Sequence, residues 1–420
     1  MTQKKENKID RRNFLKALGA TSLGSVIVST QAPAKLQESK YAQVPKRKLG
    51  RTGVEVPCLS LGTNRIADNQ IILRNALQHA ITYWDTAPSY MGGNTELCIG
   101  KFLSKNPQLR EQLFIVSKAS GVRKTPTAEA TVAQVEQRLQ TSLERMNTKY
   151  IDLYYGVHGL SDPDQLTDEL RQWAKDAKKR NLIRLFGFST HRNIAQNLTA
   201  AAKVGWIDVI MTAYNFRLMQ DPEIQAAIDK CHEAGLALIA MKTVALSVRE
   251  RTRLEAGREI ETEEDKKLLK HFLHKGLTVR QAKIKAVLQD ERISSACVGM
   301  NNVGLLASNA KAALEKPKLT EHDFQVLIKY ARATRSDYCA GCAYICDSAL
   351  PDAPYVSDIM RYLMYYNSYG QHDRARELFA QIPANVRSTL LSTDYSTAEQ
   401  RCPQHMPIAK LVAEAVGKLA

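Results

Sequence analysis

Four side chains able to move a proton stand where apolar runs stop. ITYW ends on Asp85, with Tyr90 five residues further on in DTAPSY; LFIVSK ends on Lys118, and IDLYYGVH on His158. Brought together, a carboxylate, a phenol, an amine and an imidazole form an acid–base set. The amine favours the phenolate, lowering a phenol pKa of about 10, and the carboxylate fixes and partly neutralises the amine. Singly, each residue has a plain structural reading: the Asp as a helix cap, the Lys as a solvated surface group, His158 as one satisfied core histidine among nine. Four such groups at strand ends are not a coincidence, and one catalytic site explains them together.

To meet, the four need parallel strands whose C-terminal ends open on one face. Eight runs with strand character begin at Val54, Ile81, Leu113, Ile151, Ile183, Ile207, Leu236 and Ser294. Most are nearly continuous apolar stretches, as strands covered on both faces must be. Between them lie helix-period segments: Ala128 to Met146 puts Val132, Val135, Leu139 and Leu143 on one face, and Asp221 to Glu233 and Thr278 to Leu288 read likewise. The alternation predicts an α/β fold, a (β/α)8 TIM barrel over residues 47–319. The long charged connection from Ser247 to Gly276 predicts an extra helix or a lid on the active face. From residue 320 to 420 the alternation gives way to helical pattern punctuated by cysteines, a second, small, mainly helical domain. A chain of 420 residues has room for both.

The net charge of +16 is spread over predicted helix faces, with no basic stripe or interleaved aromatics, so it reads as solvated surface and not as a nucleic-acid site. Residues 1–34 resemble a twin-arginine export signal: DRRNFLK is followed by the short, weakly apolar ALGATSLGSVIVST and by Ala32-Pro33-Ala34, small residues suited to cleavage near Ala34. The apolar part is too short and polar for a stable membrane span. The expectation is a protein carried folded by the twin-arginine translocation machinery to the periplasm or beyond, with residues 35–46 as a linker.

RKLGRTGVEVPCLSLGT, WDTAPSYMGGNTELCIGKFL, FIVSK, YIDLYYGVHG, IRLFGFSTH and the later VGMNN together resemble the aldo/keto reductase family, over roughly Arg47 to Leu314. The resemblance implies hydride transfer between a nicotinamide cofactor and a small carbonyl or alcohol compound. Tyr90 is then the acid in reduction and the base in oxidation, tuned by Lys118 and Asp85, while His158 holds the carbonyl oxygen. It also implies that Ser189, Thr190 and Asn215 hold the nicotinamide carboxamide, and that Gly299, Met300, Asn301, Asn302 and Asn309 take the adenosine phosphate. Met241 stands where many members stack a tyrosine on the nicotinamide, beside Lys242, which is grouped with the cofactor residues. No arginine follows GMNN to pair a 2′-phosphate, so NADP and NAD both stay open.

Of eight cysteines, Cys58, Cys98, Cys231 and Cys297 are isolated in predicted barrel elements and read as unpaired buried thiols. Cys339, Cys342 and Cys346 form C-x2-C-x3-C, and Cys402 precedes Pro403. A spaced triplet with a distant Cys-Pro resembles a bacterial-type ferredoxin domain and implies one 4Fe-4S cluster on these four thiolates. Iron-sulfur domains after the barrel also occur in one branch of the aldo/keto reductases. Zinc and disulfides are the competing readings. The expected protein is an exported oxidoreductase, with electrons recycled in place or passed through the cluster to an electron-transfer partner. The alternative is a non-enzymatic binding or structural barrel whose cluster only staples the tail.

Overall fold

The first apolar run divides. Its early residues pair antiparallel in a short hairpin, β1 (Lys46–Lys48) with β2 (Glu55–Pro57), Lys46 standing opposite Pro57. Pro57 has no N–H to donate, and after Cys58 the chain enters the barrel as β3 (Leu59–Gly62). The other seven runs become β4 (Tyr83–Asp85), β5 (Phe114–Lys118), β6 (Ile151–His158), β7 (Ile183–Thr190), β8 (Val209–Ala213), β9 (Ala237–Met241) and β10 (Ser295–Gly299). All eight barrel strands are parallel, and β10 pairs with both β9 and β3, so the sheet closes. The fold is the (β/α)8 barrel the alternation predicts.

The computed structural model describes residues 41–122, 127–249, 262–314, 316–350 and 355–420. The export-signal segment, and residues 250–261 of the long seventh connection, lie outside the described residues. Beyond them that connection does contain an extra helix, Glu263–Leu273. The helix boundaries follow the capping residues. Thr127 accepts from the Ala130 N–H, Asp221 from those of Glu223 and Ile224, and Thr278 and Gln281 cap each other's backbone.

Inward-facing Tyr83, Val116, Leu153, Tyr155, Met211 and Ile239 fill the barrel, and Leu49 and Val56 of the hairpin join them to close its lower end. A larger apolar layer lies between strands and helices. The helix Glu321–Ala333, the first of the tail, shares that layer through Leu327, Tyr330 and Ala331, and the Tyr330 hydroxyl donates to Asp265 at 2.8 Å. A separate core begins later in the tail, built from Ile359, Leu363, Phe379, Leu411 and Val412 among others. Ser39–Ala420 nevertheless form one compact unit. Among the described residues, no helix is long and apolar enough to cross a membrane.

Candidate active site

The strand register brings the predicted groups to one mouth. Gly62 pairs with Asp85, Lys118 with Tyr155, and His158 with Ser189. Lys118 Nζ donates to Asp85 Oδ1 at 2.6 Å and to the Thr86 carbonyl at 2.8 Å, and the pair is almost wholly buried. Burial alone would pull the ammonium pKa down, but Asp85 and the neighbouring Tyr90 outweigh it and hold Lys118 above its ordinary value. The ammonium sits 5.1 Å from the centre of the Tyr90 ring. Tyr90 opens a short turn in which Met91, Gly92 and Gly93 all have positive φ. At Gly93 a side chain is impossible without movement, because a Cβ would lie 2.5 Å from the Arg145 guanidinium.

One electrostatic expectation is revised. Burial raises the Tyr90 pKa, and Lys118 opposes this without overcoming it. Tyr90 is therefore a phenol at neutral pH, loaded with the proton that a reduction needs.

His158 Nδ1 lies 2.6 Å from Ser120 Oγ, and Ser89 Oγ donates to Ser120 Oγ at 3.2 Å. Burial lowers the imidazole pKa well below its usual value, and Lys118, Arg374, Arg361 and Lys242 lower it further. The ring is neutral. With Ser120 donating to Nδ1, the remaining ring proton falls on Nε2 and is available to an oxygen in the mouth. Neither serine is legible as a site residue in sequence, since both stand outside the strand-end positions that carry the other groups.

Asp85, Tyr90, Lys118, His158, Ser189, Lys242 and Gly299 all line one cavity of about 730 Å3, a size typical of small-molecule sites. Thr190 and Asn215 do not. The Thr190 hydroxyl is within 2.8 Å of the Leu160 carbonyl and accepts from Asn197, while Asn215 donates to the Lys242 carbonyl and the Tyr338 hydroxyl. Both shape the loops behind the cavity. A second groove, of about 280 Å3, shares Lys242 and Gly299 with the mouth and adds Asn302 and Arg280. Asn302 spends its side-chain oxygen on the Leu305 N–H, at 2.8 Å. Asn309 is fully buried behind the groove and accepts from Arg280 Nε at 3.1 Å, and its Nδ2 is a buried donor without a partner among the described residues. Arg280 Nη2 donates to the Gly299 carbonyl at 3.2 Å. The groove therefore contains a guanidinium that the sequence around GMNN lacks, supplied from the helix before β10.

The C-terminal segment covers part of the mouth. Tyr365, Tyr369 and Arg374 line the same cavity as Tyr90 and His158. Cys297, grouped in sequence with the buried barrel thiols, also faces this cavity.

The four tail cysteines come together. Cys339, Cys342, Cys346 and Cys402 line one small pocket whose other walls include Ile345, Val356 and Met360. They ring the pocket without converging on a point: among the described residues no three His, Cys, Asp or Glu side chains close around a single metal ion. All are free thiols. Burial and mutual repulsion push Cys342 up to about 11 and Cys346 up to about 12, and raise Cys339 as well.

The sequence model described as the aldo/keto reductase family matches residues 59–330. Among solved structures, the chain is similar to the aldo-keto reductase AKR11C1 from Bacillus halodurans in its holo form. That likeness has 23% identity and a TM-score of 0.54, and covers 69% of this chain and 96% of the other. It is also similar to the thermostable aldo-keto reductase Tm1743, solved with the inhibitor epalrestat. There the identity is 26% and the TM-score 0.52, over 68% of this chain and 99% of that one. The first likeness speaks to the barrel fold alone. The family match spans nearly the whole barrel and all four tetrad residues, and with their convergence at one mouth it establishes that this chain is an oxidoreductase belonging to the aldo/keto reductase family.

Proposed function

We propose that the chain is an exported reductase or dehydrogenase that transfers hydride between a bound NADP(H) and a small carbonyl or alcohol compound, and that its tail holds one 4Fe-4S cluster. The observation that carries the first part is the buried Lys118–Asp85 pair beneath Tyr90, with neutral His158 lining the same cavity. The nicotinamide supplies the hydride in reduction and takes it in oxidation. Tyr90 gives its proton to the carbonyl oxygen, His158 Nε2 holds that oxygen, and Lys118 stabilises the phenolate that results. Ser189 at the mouth suits the carboxamide. Gly299, Asn302 and Arg280 suit the adenosine phosphate, and the Arg280 guanidinium favours NADP over NAD.

The donor set of the tail supports the cluster. Cys339, Cys342 and Cys346 resist ionising alone in this apolar pocket, and an iron-sulfur core both requires four thiolates, with Cys402 completing the set, and offsets their charge. Ligand sulfurs ringing a pocket suit a cluster better than a single zinc ion. Export rests on Arg11 and Arg12 in their sequence setting. Together these imply a protein loaded before translocation, with the translocation machinery and an electron acceptor or donor as partners.

Anaerobic purification of the exported protein, followed by denaturation and weighing of the released small molecules, tests the reading. About one NADP(H) per chain is expected, with iron and sulfide in equal amounts. Protein that releases no nicotinamide nucleotide and binds none when it is added would refute the hydride-transfer reading.

A further inference from the structure

The charge inside the mouth is unbalanced. Lys118 is matched by Asp85 at 2.6 Å, and Arg361, just behind the cavity, is matched by Asp358 at 2.6 Å. The other carboxylates on the cavity wall, Asp373 and Glu377, are exposed on its rim, and Asp373 faces Arg376 at 3.8 Å. Two cations remain. Lys242 Nζ lies between two aromatic rings, 4.4 Å from the centre of Tyr365 and 4.6 Å from that of Tyr369. Arg374 reaches over from the C-terminal helix His372–Ala380, with Nη1 3.5 Å from the Ser89 carbonyl, next to the catalytic phenol. Among the described residues neither forms an ion pair with a carboxylate.

We propose that the substrate is a carbonyl or alcohol compound bearing a carboxylate, a keto or hydroxy acid, whose carboxylate is taken by Arg374 together with Lys242 while its reacting carbon faces Tyr90 and His158. This rests on the hydride-transfer reading above. A guanidinium at a partly dry wall is suited to bidentate capture of a carboxylate, and the anion supplies the counter-charge that the cavity lacks. Arg374 and Lys242 both line the cavity that Tyr90, His158 and Tyr365 line, so the two cations border a common space. The nucleotide phosphate does not account for Arg374. The groove with Gly299, Asn302 and Arg280 does not include it, and Ser89 places it by the catalytic turn. The tail helix is thereby a substrate-selecting element.

The test uses the full exported chain loaded with nucleotide and titrates it calorimetrically with lactate, glycerate and gluconate, each against its carboxamide. Calorimetry reads binding whether or not hydride moves, so failure here is separate from failure of the hydride-transfer reading. At least one acid is expected to bind about ten- to hundredfold more tightly than its amide. Arg374→Gln should bring acid and amide level, and Arg374→Lys should restore part of the difference. Equal binding of every acid and amide pair in the parent, or no binding of any acid, overturns the proposal. So does an Arg374→Gln variant that loses affinity for NADP(H) but keeps its preference for the acid.

Discussion

Asn193 and Gly341 are joined through their backbones, the Asn193 N–H donating to the Gly341 carbonyl at 2.8 Å. This bond ties the loop after β7, which follows Ser189 at the barrel mouth, to the loop between Cys339 and Cys342. Around it Asn193 Oδ1 accepts from the Tyr344 N–H at 3.0 Å, and Arg192 pairs with both Asp347 and Asp358. The tail cysteines and the barrel mouth therefore hang on one set of bonds, and damage at either is expected to be felt at the other.

Gly341 is where that seam is tightest. Its φ is +80°, and a Cβ there would stand 2.1 Å from the His191 carbonyl oxygen, a backbone atom that cannot swing away. Gly341→Ala combines left-handed strain with a steric clash and is expected to cost at least about 2 kcal/mol of stability. Catalytic rate should fall with it, since the displaced loop leads back to Ser189. Urea melts of the two proteins check this, and coincident midpoints would count against it.

Tyr90 and Asp85 separate chemistry from stability. Tyr90→Phe removes the transferable proton and is expected to lower kcat by about 10²–10⁴ while leaving the melting curve near that of the parent. Asp85→Asn leaves the Lys118 ammonium buried without a counter-charge, facing only neutral oxygens, that of the new amide and the Thr86 carbonyl. It should lose activity and also about 3–5 kcal/mol of stability, the usual cost of breaking a buried pair from one side. Single-turnover hydride transfer and denaturant melts on both variants decide it. A Tyr90→Phe enzyme with parental turnover would remove the tetrad from the mechanism.

Acid should destabilise the protein through two histidines. Burial lowers the pKa of His158 and of His191 well below the ordinary value of 6.5, and the surrounding cations lower both further. As pH falls through the unfolded-state pKa, near 6.5, the unfolded chain takes up protons that the folded chain refuses. Stability is thus full above about pH 6.5 and declines below it, until the folded rings themselves protonate. Denaturation free energies measured from pH 7.5 down to 5.5 should show the decline, and the double variant His158→Asn, His191→Asn should flatten it. A flat profile in the parent would mean that these rings are solvated.

The barrel and the tetrad were legible because strands deliver residues to their own ends: reading where each apolar run stops is nearly the same as reading the mouth. The limits of that logic are equally physical. Thr190 and Asn215 also stand at strand ends, but their polar groups are committed to neighbouring loop atoms, a choice made by packing. Ser120, Arg280, Tyr365 and Arg374 reach the site from a loop, from the helix before the last strand and from the distant tail, and nothing in local sequence marks them. Burial escaped the sequence as well. Lys118 beside Tyr90 suggests a lowered phenol pKa, whereas the desolvation that reverses the shift belongs to the folded cavity. For the cysteines, spacing alone links Cys402 to the triplet only by likeness; the fold puts the four thiols on one pocket.

Arg280 offers a cofactor test that does not touch the tetrad. It lines the groove next to Gly299 and Asn302, and its Nε and Nη2 are held by Asn309 and by the Gly299 carbonyl, so the guanidinium is fixed in orientation. A fixed guanidinium discriminates by charge: it gains much from a 2′-phosphate and little from a 2′-hydroxyl. Arg280→Ala is expected to weaken NADP binding by about tenfold or more. NAD binding should change much less, through loosening of the Gly299 loop alone. Fluorescence titration of both nucleotides against parent and variant measures the two losses. Equal losses would assign Arg280 to holding the β10 loop and remove its support for the proposed preference for NADP. A selective loss would mean that the phosphate site is built from the helix preceding β10, in place of the arginine missing after GMNN.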